Sequence, residues 1–147
     1  MKTTAVSLLL LISSYIGTAQ EIIYHINDAQ QIAIENDQSI MMVFSGSDWC
    51  KPCIQLKKEV LEKKEFQSFR KEHLVHLELD FPYSKKNTLT KEQLAHNETL
   101  AEKYNQAGSF PKVIFLDQEL NTLGEVQYSK GMDPKEFVQH VQKIIQI

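Results

Sequence analysis

Cysteine is scarce in this chain: among 147 residues it occurs only at Cys50 and Cys53. A small fold stapled by disulfides needs more pairs than that. A bridge across two intervening residues also closes almost no loop, so it removes little entropy from the unfolded chain. The pair is better explained as chemistry than as a staple. Proline and glycine are also few, at 4 and 5, and no Pro-rich or Gly/Ser-rich linker, repeat or low-complexity tract divides the chain. Basic residues form no stripe. The net charge is −3, with acidic and basic groups interleaved, which argues against nucleic acid as a partner. What remains is ordinary for one globular domain: 42% hydrophobic and 24% charged residues, in a chain long enough for one real core but hardly for two.

No apolar run reaches the roughly 20 residues that span a bilayer. The longest, Ala5 to Ile16, contains Leu8-Leu9-Leu10-Leu11-Ile12, follows Met1-Lys2 and precedes Gly17-Thr18-Ala19. A short positive start, an apolar stretch and small residues at its end have the pattern of a secretory signal. Residues 1–19 are therefore expected to be a cleaved signal peptide and residues 20–147 the mature domain, periplasmic or secreted. No cysteine follows the stretch, which disfavours a lipid-anchored form.

The rest alternates between strand-like and helix-like segments. Glu21 to Ile26 reads as a short strand, and Asn27-Asp28 as the cap of a helix over Ala29 to Glu35. Ile40 to Phe44 is a continuous apolar run, the mark of a strand buried on both faces. Ser45-Gly46-Ser47-Asp48 breaks it and leads into Trp49-Cys50. A long helical stretch follows, expected to bend or break near Lys63. Leu74 to Asp80 alternates as a strand. Phe81 to Thr88 reads as a loop, and Thr90 with Gln93 resembles a capping box opening a helix that runs through Tyr104 and stops before Gly108. Val113 to Leu116 and Thr122 to Tyr128 form a hairpin around Asp117 to Asn121. Asp133-Pro134 opens a last amphipathic helix with Phe137, Val138, Val141, Ile144 and Ile145 inward. This order implies an α/β fold, a central mixed sheet with helices on both faces. Right-handed crossovers place the turn after Phe44 at the carboxyl edge of the sheet, where such folds put their sites.

Two cysteines separated by two residues at a helix start can close a small disulfide and reopen it. The helix N-terminus turns its free N–H groups toward the first sulfur and stabilises the thiolate. Cys50 is thus the candidate nucleophile and Cys53 the resolving thiol. Lys51 adds a cation beside Cys50, and Pro52 suits the first helical turn, where a missing N–H costs nothing. Trp49 reads as a surface or lid residue. A half zinc site with His73 and His76 is the competing reading. Their spacing puts the two imidazoles on opposite faces of a strand, so no metal is assigned. His25, His96 and His140 read as surface positions. Asn97-Glu98-Thr99 matches a glycan acceptor, a tripeptide common by chance, and is assigned nothing.

Trp49-Cys50-Lys51-Pro52-Cys53 after an apolar strand, Gly108-Ser109-Phe110-Pro111 just before another, and Gly131 ahead of the last helix together resemble the thioredoxin superfamily over essentially the whole mature chain. Ser45-Gly46-Ser47-Asp48-Trp49-Cys50 and Leu79-Asp80-Phe81-Pro82 look most like exported bacterial thioredoxin-like proteins, which carry an enlarged loop and helix as Phe81 to Tyr104 would here. The resemblance implies a thioredoxin-like fold, a redox-active Cys50–Cys53 disulfide, and a cis peptide bond before Pro111. There Pro111 would lie against the disulfide, and the backbone of Phe110 would pair with an extended substrate segment. It implies no cofactor. Its substrates would be exported proteins with exposed disulfides, its electron donor a membrane thiol–disulfide transporter, and its state a monomer.

Two positions depart from the family. The buried acid that aids proton transfer in thioredoxins would fall at Phe44, six residues before Cys50, and the family's buried lysine falls near His76, which becomes a candidate for proton handling. Lys-Pro between the cysteines replaces the usual Gly-Pro, and the added cation should raise the redox potential. A binding or chaperone module on the same fold, with an idle disulfide, stays open beside the oxidoreductase, as does a metal-binding protein.

Overall fold

The computed structural model describes residues 21–147; the signal-peptide expectation for residues 1–19 lies outside them. Helix α1 spans Ile26–Asn36, strand β1 Ser39–Ser45 and helix α2 Lys51–Leu56, which continues as one π-helical turn, Lys57–Leu61. Helix α3 (Lys64–His73) feeds directly into β2 (Leu74–Asp80). Helix α4 (Lys91–Tyr104), the hairpin of β3 (Lys112–Leu116) and β4 (Thr122–Val126), and helix α5 (Pro134–Ile145) complete the chain.

The four strands lie in the order β2-β1-β3-β4. β1 runs parallel to β2 and antiparallel to β3, and β3 runs antiparallel to β4, so the sheet is mixed. β1 is central and covered on both faces, which is why Ile40 to Phe44 carries no polar residue. Its alternate side chains enter two separate cores. Met41 and Val43 join Leu56, Val60, Phe66, Phe69, Phe115, Phe137 and Val141 under α2, α3 and α5. Ile40, Met42 and Phe44 join Ala29, Ala33, Leu77, Leu79, Leu100 and Ile114 under α1 and α4.

The ends of the elements follow local chemistry where it is available. The Thr90 hydroxyl accepts from the Gln93 amide at 3.1 Å and starts α4. The Asp133 carboxylate accepts from the Lys135 amide at 2.7 Å and starts α5, with Pro134 in the first turn. Asp117 folds the hairpin by accepting from the amides of Glu119 and Asn121 at 3.0 and 2.8 Å. The helical stretch after Cys53 breaks at Lys63, whose backbone is extended (φ −76°, ψ 144°), between the π turn and α3.

The first segment differs from expectation. Ile23 makes a single bridge to Leu77 rather than a strand, and α1 begins at Ile26, so Asn27 and Asp28 lie inside its first turn. The cap is not local: the ring Nε2 of His96, 70 residues away, accepts from the Ile26 amide at 3.1 Å. His96 also packs against His25, ring centroids 4.4 Å apart and planes tilted by 41°; His96 is thus a half-buried structural group, whereas His25 is exposed as expected. Asn97 is buried, its Nδ2 donating to the Asp80 carbonyl at 2.8 Å.

Candidate active site

The turn between β1 and α2 brings Cys50, and the first turn of α2 Cys53, to the carboxyl edge of the sheet. Cys50 and Cys53 are joined by a disulfide with S–S 2.02 Å and Cα–Cα 5.2 Å. Cys50 is the N-cap of α2, and the Cys53 amide donates to the Cys50 Sγ at 3.3 Å. An N–H aimed at this sulfur favours negative charge on it once the bond is opened. Both cysteines are buried, and Lys51 and Pro52 between them are exposed.

Trp49 directly precedes the pair. It is half exposed, and its indole Nε1–H donates to the Phe81 carbonyl at 2.7 Å. The Trp49 and Phe110 rings meet edge to face with centroids 5.4 Å apart, and Phe110 meets Phe81 likewise at 5.5 Å. The peptide bond between Phe110 and Pro111 is cis, and Pro111 lines the same cavity as Cys53. Gly46 gives the indole its room. A Cβ there would stand 2.4 Å from Trp49 Cε2, inside any permitted contact.

The loop after β2 is tied to the active-site turn by two carboxylates. Asp80 accepts from the amide and hydroxyl of Ser47 at 2.8 and 2.6 Å. Asp48 accepts from the amides of Tyr83 and Ser84, both at 2.8 Å, and from Asn87 Nδ2 at 3.0 Å. These donors, the Tyr83 amide first, hold the Asp48 carboxyl below its ordinary pKa. On the far side of α2, Glu59 in the π turn accepts from the Tyr128 hydroxyl and, at 3.1 Å, from the Gly131 amide. Burial first, and Glu59 second, push the Tyr128 phenol up to about 12.

A cavity of about 220 Å³ reaches Cys53 from the β2 side, with Val43, Arg70, His76 and Glu78 in its wall. Of the neighbours Val43 and Phe44, it is Val43 whose side chain enters this wall. Phe44 points into the opposite core, because neighbouring strand residues face opposite ways and an offset of one residue changes the face. Both are apolar. His76 is buried in this wall, with its Nε2 2.9 Å from Glu78 Oε2. His73 ends α3 with its ring 4.9 Å from that of Phe69. Among the described residues, no three His, Cys, Asp or Glu side chains are grouped to hold a metal ion. Asp48, Asp80 and Glu59 carry no mark in the sequence, since each finds its partner across the fold; Glu78 pairs two residues away with His76, and only the shared cavity with Cys53 singles it out. The one sequence signal was Leu79-Asp80-Phe81-Pro82 as a turn.

Fold and site together define a thioredoxin-like domain with a CxxC disulfide at the head of a helix. The chain belongs to the thioredoxin-like domain family, whose pattern it matches over residues 26–145. An aligned stretch of 104 residues is 34% identical to the disulfide bond reductase DsbH of Chlamydia pneumoniae, covering 71% of this chain and 61% of that protein. A stretch of 50 residues is 40% identical to the thioredoxin-related protein DsbJ of the same organism, covering 33% of this chain and 14% of the other. The chain thus spans less than two thirds of the length of these curated relatives. A solved DsbH oxidoreductase superposes with a TM-score of 0.77 at 27% identity, over 97% of this chain and 96% of the other.

Proposed function

We propose that the chain is exported and acts as a protein-disulfide reductase, with Cys50 as nucleophile and Cys53 as resolving thiol. The observation that carries this is the Cys53 amide aimed at the Cys50 sulfur at the start of α2. The reduced Cys50 thiolate attacks a substrate disulfide and forms a mixed disulfide, releasing one substrate thiolate. Cys53 then attacks Cys50, closes the internal disulfide and releases the second. Two electrons pass to the substrate, so a thiol donor must return them; for an exported protein that donor is a membrane thiol–disulfide transporter. Substrates are exported proteins with exposed disulfides, docked on Trp49 and the Phe110-Pro111 edge. The reducing direction is supported by the name of the reductase relative, and export by the pattern of residues 1–19.

The test is the reduction potential of the pair, measured in glutathione buffers and followed by the fluorescence of Trp49, the single tryptophan. A reductase whose Lys51 raises the potential modestly gives a value between about −270 and −200 mV. A value near about −120 mV makes it an oxidant instead. No reversible two-electron couple removes the enzyme reading altogether.

A further inference from the structure

The exchange just described leaves one proton without an acceptor. Cys53 must lose its thiol proton before it attacks Cys50, and the β1 residues lining its cavity are Val43 and Ser45, neither of which carries a carboxylate or an imidazole to hold it. The parallel register of β1 and β2 places Glu78 directly beside Val43. Glu78 lines the same cavity as Cys53, and its side chain is 19% exposed against 5% for His76, whose Nε2 lies 2.9 Å from it. A space of about 220 Å³ has room for several waters, and Arg70, His76, Glu78 and Asp80 in its largely apolar wall offer them polar partners.

The geometry points to Glu78 as the proton acceptor for Cys53, reached through water in this cavity, with His76 as the residue that positions its carboxylate. The assignment rests on the oxidoreductase reading above. The other ionisable groups facing the cavity are otherwise placed. Asp80 is engaged by the amide and hydroxyl of Ser47. Lys57, Glu62 and Tyr24 are exposed residues of its wall. Arg70 is buried, with Nη2 donating to Gln67 at 3.0 Å.

In this scheme the Cys53 S–H bond breaks and the proton passes through water to Glu78. The sulfur's electron pair forms the bond to Cys50, and the bond from Cys50 to the substrate sulfur breaks, its pair leaving as substrate thiolate. The cysteines are oxidised and the substrate reduced. Glu78 then gives its proton back through the cavity.

The experiment mixes reduced protein with oxidised glutathione, quenches in acid, and follows the mixed disulfide by mass from pH 5 to 10. Glu78→Gln is expected to slow decay of the mixed disulfide by roughly tenfold or more at pH 7, within the range of general base catalysis. The gap should close at high pH, where Cys53 ionises unaided. His76→Gln should show a smaller loss of the same shape. Because Glu78→Gln could fold poorly, Val43→Asp is added to it, returning a carboxylate to the neighbouring register position; recovery of the neutral-pH rate supports the assignment. Decay with an unchanged pH profile in Glu78→Gln, or slowing by one factor at every pH, overturns it. Wild-type protein that forms no mixed disulfide sinks the oxidoreductase reading itself.

Discussion

The indole N–H of Trp49 donates to the Phe81 carbonyl at 2.7 Å, so the residue before the first cysteine is held by a loop that begins after β2. With the Asp48 contacts to Tyr83, Ser84 and Asn87, this makes the loop part of the site. Beside Cys50, the edge of Trp49 and the loop thus form one surface.

Gly46 sets the position of that surface. In Gly46→Ala the new methyl collides with the Trp49 ring, and the indole must swing away from Phe81. Overpacking of this kind costs about 1–3 kcal/mol. The expected outcome is a lower Tm, altered Trp49 fluorescence and slower reduction of a protein substrate, with less effect on a small disulfide. An unchanged emission spectrum would show that the ring had not moved.

Asp48 makes the loop sensitive to acid. Its folded-state pKa lies below the ordinary 3.8, so its contribution is present above that value and is lost as pH falls through the folded value. Hydrogen-exchange protection of the Tyr83 and Ser84 amides should drop in that window. In Asp48→Ala it should be low at every pH.

At the other end of the scale, Tyr128 is pushed up to about 12 from 10.0. The unfolded chain ionises first, so the contribution of Tyr128 is complete below pH 10 and is lost as pH rises toward 12. Urea midpoints between those values should fall more steeply in the wild type than in Tyr128→Phe. Parallel curves would count against the Glu59–Tyr128 contact.

Phe137 is fully buried and meets Phe66 edge to face with centroids 5.5 Å apart. Phe137→Ala should cost about 3–5 kcal/mol, measured by urea unfolding. A loss under about 1 kcal/mol would mean that α5 closes over the gap, as sites able to collapse do.

Cys53→Ser should accumulate a mixed disulfide between Cys50 and a substrate, visible on a non-reducing gel, while Cys50→Ser should form none. A trapped adduct in Cys50→Ser would reverse the two roles.

What the sequence disclosed follows the range of the forces involved. β2 is read at Leu74 to Asp80 because its alternation is local, and α4 because Thr90 caps it from one turn away. The start of α1 was misplaced because its cap, His96, comes from a distant helix. Counting back from Cys50 led to Phe44, yet only the pleat of the folded strand shows that Val43 shares the cavity. Asp48 looked like any turn aspartate, since the amides it accepts from lie 35 and 36 residues on.

β1 has no solvent face, and the two cores it separates share few side chains. It therefore works as a partition. Substitutions within one layer, such as Phe66 with Phe137, should couple, whereas pairs drawn from opposite layers should sum, as separated sites do. The layer under α1 and α4 can thus drift in sequence while the one behind the cysteines stays fixed, and a lineage could retune its stability without disturbing its chemistry.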